Sequence, residues 1–113
     1  MAAVHASAWL RLWVKIGAMA LLFQLTVTPA TQEQFNELDA RFDQSMMQAG
    51  GPPAGLMSHA VYPEGDGFVI ADVWRAEAEG QRFIDDVLRP LLAESGLTGQ
   101  DAVVRPVWSF ARP

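Results

Sequence analysis

The sequence predicts an α+β domain: a four-stranded antiparallel sheet with two helices packed on one of its faces. Three observations lead there. The segments ALLFQLTV (20–27), GLMSHAVY (55–62), FVIADVW (68–74) and VVRPVWSF (103–110) are rich in β-branched and aromatic residues and bounded by turn formers. Between them, 31–49 and a run ending near Glu94 carry apolar residues three and four apart. The short PEGDG stretch (63–67) joins the second and third strands as a tight turn. The order strand, helix, strand, strand, helix, strand is the ferredoxin-like βαββαβ topology. One such unit leaves the second sheet face bare of helices.

Strand one places Leu21, Phe23, Leu25 and Val27 on one side and Leu22, Gln24 and Thr26 on the other. The apolar side is expected to receive the helices, and the strand is expected to lie centrally. Thr31 then caps a helix, with Gln34 at capping-box spacing and Glu33 in the first turn. Phe35, Leu38, Phe42, Met46 and Ala49 form its buried stripe. Gly50-Gly51-Pro52-Pro53 ends it.

Gly65-Asp66 suits a type II′ turn, so facing residues carry numbers that sum to 131. His59 then opposes Asp72, Val61 opposes Ile70, and Met57 opposes Trp74. These six share a face with Phe68. The small or β-branched set Ser58, Ala60, Val69, Ala71 and Val73 takes the opposite face, which is expected to meet the helices. The second helix buries Phe83, Ile84, Val87, Leu88, Leu91 and Leu92. Pro90 removes a donor and crowds the carbonyl of Asp86, predicting a kink near 88–90. Gly96 stops the helix. Pro106 argues for an edge position or a bulge in the last strand.

The 113 residues make one domain, half of them hydrophobic, which excludes a disordered chain. A net charge of −5, without a basic cluster, excludes nucleic acid as an expected partner. There is no cysteine and there are two histidines, so neither a disulfide nor a metal centre is expected. Residues 1–18 stand apart from the domain at 19–113. Three readings of them are open: a signal peptide, a membrane anchor, and an extension upstream of a start at Met19. Cleavage near Ala30 would remove the first strand, and the apolar run is interrupted by Gln24 and Thr26, so the extension is favoured. A membrane partner is therefore not expected, and the expected location is the cytoplasm, or an exported or membrane-associated site if 1–30 act as a signal or anchor.

The string PPAGLMSHAVYPEGDGFVIADVW, with FIDDVLRPLLAESG and VVRPVW after it, resembles the dimeric α/β-barrel superfamily. In particular it is similar to the small antibiotic-biosynthesis-monooxygenase-like (ABM-like) proteins of actinobacteria, over about residues 19–110. The resemblance implies a homodimer whose two sheets close a barrel. It also implies a small-molecule enzyme, such as a cofactor-independent monooxygenase acting on an aromatic or polyketide-like substrate, or a non-catalytic ligand-binding module. No cofactor is expected.

Within that frame His59 is the candidate base and Asp72 its orienting partner, on the face expected to line the barrel. The same pair also serves as a structural hydrogen bond. Phe68, Trp74 and Trp108 are candidate pocket walls, with Gln24 a donor to a ligand carbonyl. Core or dimer-contact roles suit these aromatics equally.

Overall fold

The computed structural model describes residues 20–108. The segment 1–18, Met19 and Phe110 lie outside them. In chain order the elements are β1 (Leu21–Val27), α1 (Gln32–Gln48), β2 (Leu56–Glu64), β3 (Gly67–Trp74), α2 (Glu77–Phe83), a π-helical turn (Ile84–Leu88), α3 (Arg89–Glu94) and β4 (Val103–Pro106). The strands form one antiparallel sheet in the order β2-β3-β1-β4. The ferredoxin-like arrangement and the central β1 are as expected. Pro106 sits on edge strand β4, where a missing donor leaves no interior ladder bond unmade.

Local chemistry accounts for the boundaries. The Thr31 hydroxyl accepts from the Gln34 amide at 3.1 Å, and the Gln34 side chain accepts from the Thr31 amide at 3.0 Å. This reciprocal box satisfies donors that the first turn of α1 leaves open. At its far end, Gly50 and Gly51 take φ of 88° and 134°, and the Gly51 amide returns to the Met46 carbonyl at 2.8 Å. Gly65 at φ 54° makes the β2–β3 turn. The start of α2 has no side-chain cap at Ala76. Pro90 leaves its mark as the π turn just before it, where the Arg89 amide bonds the Ile84 carbonyl. A local widening of the helix thus replaces a simple kink.

The core corrects the sequence reading of the hairpin. Pairing sets Phe23, Leu25 and Val27 of β1 beside Asp72, Ile70 and Phe68 of β3. Those rows, with Trp74, are buried against Leu38, Phe83, Ile84, Leu88 and Leu92 of the helices. The bulky row of the hairpin therefore faces the helices, and the small row Ser58, Ala60, Val69, Ala71 and Val73 lies on the open face. The reason is volume. Large helix side chains leave a layer that large sheet side chains must fill to reach close packing. Each fully buried Phe, Leu or Trp there contributes on the order of 1.5–3 kcal/mol.

Two smaller corrections follow. Between Leu56 and Ser58 the register slips, so Leu56 rather than Met57 pairs with Trp74. Ala49 is exposed at the end of α1.

Candidate functional site

The 131-sum register holds through the middle of the hairpin and pairs His59 with Asp72. Nδ1 of His59 lies 2.5 Å from Oδ1 of Asp72, whose side chain is 5% exposed. An Nδ1–H donated to this carboxylate leaves Nε2 as the free nitrogen of the neutral ring. Above the pair, α1 lays Phe42 parallel to the imidazole, with centroids 5.0 Å apart and planes 8° apart. The hydrogen bond from Asp72 raises the His59 pKa above its usual 6.5. Burial opposes it, and the charges of Asp72, Asp39 and Asp43 add to it.

Because the bulky row faces the helices, His59 and Asp72 are not on the bare face expected to line a barrel. Nor are Phe68 and Trp74, which are 5% and 1% exposed in the core. These residues are distributed over three spaces between helices and sheet. Trp74 lines a cleft of about 470 Å³ whose other walls include Met46 of α1, Pro53 and Phe83 and Val87 of the second helix. Phe68 lines a recess of about 230 Å³ at the opposite end of α1, with Phe35 and Tyr62. His59 borders an enclosed space of about 10 Å³, shared with Phe35, Phe42 and Leu88, roughly what one water centre requires, and its side chain is also 30% exposed to solvent.

The open face holds the remaining candidates apart. Gln24 reaches across β3 to the Tyr62 hydroxyl, Nε2 to oxygen 3.4 Å. The small Ala71 between their strands makes room for this bridge. Trp108 is 84% exposed just beyond β4 and joins none of these three spaces.

The 470 Å³ cleft has the size of a small-molecule site. Trp74 lines it, and the Trp74 indole Nε1 is buried without a hydrogen-bond partner among the described residues. Such a group costs about 1–3 kcal/mol unless something accepts from it. Arg82 and Asp86 stand on the rim with Glu79. Arg75 donates to Glu79 at 2.7 Å and holds that carboxyl below the usual range. A row of rings connects cleft and imidazole. Trp74 meets Phe83 at 5.2 Å, Phe83 meets Phe42 edge-on at 5.9 Å, and Phe42 stacks on His59.

By sequence, Phe42, Met46, Phe83 and Val87 read as packing residues alone. Their helical spacing marks a buried stripe, and the same stripe borders the cleft. Among the described residues no cluster of ligating side chains could hold a metal ion, and no helix is long and apolar enough to cross a membrane.

No protein-family model and no curated protein matches the chain. Two solved structures are similar to it. One is a conserved protein from Methanosarcina mazei Go1, at TM-score 0.49 and 15% identity, covering 80% of this chain and 94% of that one. The other is SnoaB, a cofactor-independent oxygenase from Streptomyces nogalater, at TM-score 0.48 and 19% identity, covering 83% and 92%.

Proposed function

We propose that the protein is a small-molecule enzyme of the ABM-like type, taking a flat aromatic or polyketide-like phenol or quinol into the Trp74 cleft. The observation that carries this reading is the cleft itself: about 470 Å³, walled by Met46, Phe83 and Val87, with the buried Trp74 indole donor lacking an acceptor. A ligand carbonyl or hydroxyl oxygen would accept from that donor. His59 borders a separate space and is the proposed proton relay of this reading, its Nε2 being the nitrogen that Asp72 leaves free. A monooxygenase reaction, with dioxygen as oxidant and no organic cofactor, is the activity the family resemblance supports. Gln24 and Trp108 fall outside this cleft, and their proposed role moves to the subunit contact.

The protein is proposed to act as a homodimer. Among the described residues no helix packs on the sheet face that carries Leu22, Ala71, Val73 and Val103, with Val103 49% exposed. An apolar sheet face of this kind is stable in water only when covered.

Titration with 2-naphthol, followed by the Trp74 indole N–H signal, tests the cleft. A saturable shift that Trp74→Phe removes from the spectrum supports the reading, and a silent indole overturns it. Oxygen uptake on adding a naphthoquinol, above the uncatalysed rate and lost in His59→Ala with the dimer intact, supports the enzyme. Binding without uptake favours the non-catalytic module.

A further inference from the structure

Resting on the Trp74-cleft reading, we propose that the ligand of the cleft is a hydroxyaromatic carboxylate, with Arg82 binding its carboxylate at the cleft mouth. The phenol or quinol of that reading is thereby narrowed to one that carries a single anionic group.

An unused guanidinium carries this. Arg41 holds Glu37 and Glu94, Arg75 holds Glu79, and Arg89 holds Asp85 with the carbonyls of Gly99 and Gln100. Of the described arginines, Arg82 and Arg105 are left, and only Arg82 borders the cleft of about 470 Å³. It makes no ion pair or hydrogen bond with a described residue.

Carboxylates stand at both helical spacings from it, Glu79 three residues earlier and Asp86 four residues later. Ion pairs ordinarily close at these spacings, yet neither does. Arg75 takes Glu79 with two donors, Nε at 3.0 Å and Nη2 at 2.7 Å. Gly55 fixes Glu79 from another side, because a Cβ there would collide with the carboxylate. Asp86 lies in the π turn that starts at Ile84, where the wider winding alters its offset from Arg82.

The mouth therefore offers an anion something it does not offer a cation. Charges there balance, Arg75 and Arg82 against Glu79 and Asp86, although the chain as a whole carries −5. Glu79 is already met by Arg75, whereas the Arg82 fork is free and matches a carboxylate through two parallel N–H donors. Met46, Phe83 and Val87 receive the rings behind it. Arg82 is exposed, so the contact is a rim contact. It should raise affinity about three- to fivefold rather than by orders of magnitude, and salt should screen it.

The test uses the full chain and two probes that share one ring system and hydroxyl. They are 6-hydroxy-2-naphthoate and 2-naphthol, which lacks the carboxylate and is uncharged at pH 7. Each is titrated at low salt while the Trp74 indole N–H signal is followed, in wild type and in Arg82→Gln. Wild type should bind the naphthoate about three- to fivefold more tightly than 2-naphthol. That ratio should fall to near one in Arg82→Gln, and in wild type at high salt. Equal affinities for the two probes in wild type overturn the carboxylate assignment and leave the cleft standing. A preference that survives in Arg82→Gln overturns it too, as does tighter binding of 2-naphthylmethylammonium than of the naphthoate. An indole silent to both probes overturns the cleft reading, and this assignment with it.

Discussion

Replacing Asp72 by Asn should remove a pH-dependent share of the stability that is specific to the His59 pair. In the fold the Asp72 carboxylate is 5% exposed, and His59 Nδ1 is 2.5 Å away. That contact is the largest cause of the raised His59 pKa. Below the unfolded value of about 6.5 the imidazolium is present in both states, and the charged hydrogen bond contributes in full, about 1.5–3 kcal/mol. As pH rises from there through the higher folded pKa, the folded state still holds a proton that the unfolded state has released. Unfolding free energy then falls with pH, by no more than about 1.4 kcal/mol per pH unit, because one proton is involved. In Asp72→Asn the main cause of the shift is gone, burial still lowers the pKa, and the weaker charges of Asp39 and Asp43 alone remain to raise it. The variant should therefore lose most at pH 6 and least at pH 9. Urea unfolding from pH 5.5 to 9 measures this directly. Parallel wild-type and variant profiles above pH 6.5, or a wild-type profile that rises there, would refute the pairing argument.

Two further outcomes follow from the packing. A Cβ at Gly80 would stand 2.7 Å from Phe23 Cε1 and 2.9 Å from Trp74 Cδ1. Gly80→Ala should thus lower stability by about 1–2 kcal/mol despite the roughly 1 kcal/mol that alanine gains in a helix, and an unchanged or raised melting temperature would show that this contact relaxes freely. Ala71→Arg places a charge mid-strand on the open face, between Gln24 and Ala60. It should sediment as a monomer at micromolar concentration where the wild type sediments as a dimer, and a monomeric, well-folded wild type would sink the dimer proposal.

The strand and helix order, the Thr31 capping box, the β2–β3 turn and the His59–Asp72 opposition were all legible in the sequence. Each depends on spacing along the chain, and spacing is what a sequence displays. The covered face of the hairpin was not legible. A period of two separates Phe68, Ile70, Asp72 and Trp74 from Val69, Ala71 and Val73, yet it does not say which set lies under the helices. The pairing of β3 with β1 decides that, and it is a contact between residues some fifty positions apart. The size of the helix residues was the available signal: Phe35, Phe42 and Phe83 need large neighbours, which the Phe68–Trp74 row supplies. The bulge near Met57 and the cleft beside Trp74 were not legible either. A bulge is one residue of slack with no composition of its own, and the cleft is space left between elements that are distant in the chain.

Placing the pair under the helices couples two quantities that would be independent in an open pocket. The Asp72 contact that stabilises the protonated imidazole is the same contact that withholds Nε2 from use as a base. A general base works only once its proton has gone. Under the proposed function, oxygen uptake with a naphthoquinol should therefore increase with pH and be half-maximal at the folded His59 pKa, while unfolding free energy decreases from near 6.5 and levels off at that same pKa. The two profiles share that pKa because they titrate one group. In Asp72→Asn it should move to lower pH in both measurements together. A purely structural pair gives the stability profile alone, with uptake indifferent to pH between 6.5 and 9 or unaffected by loss of the imidazole. Agreement of the folded pKa read from the two profiles is thus the observation that separates a structural hydrogen bond from a proton relay, and disagreement assigns His59 to the fold.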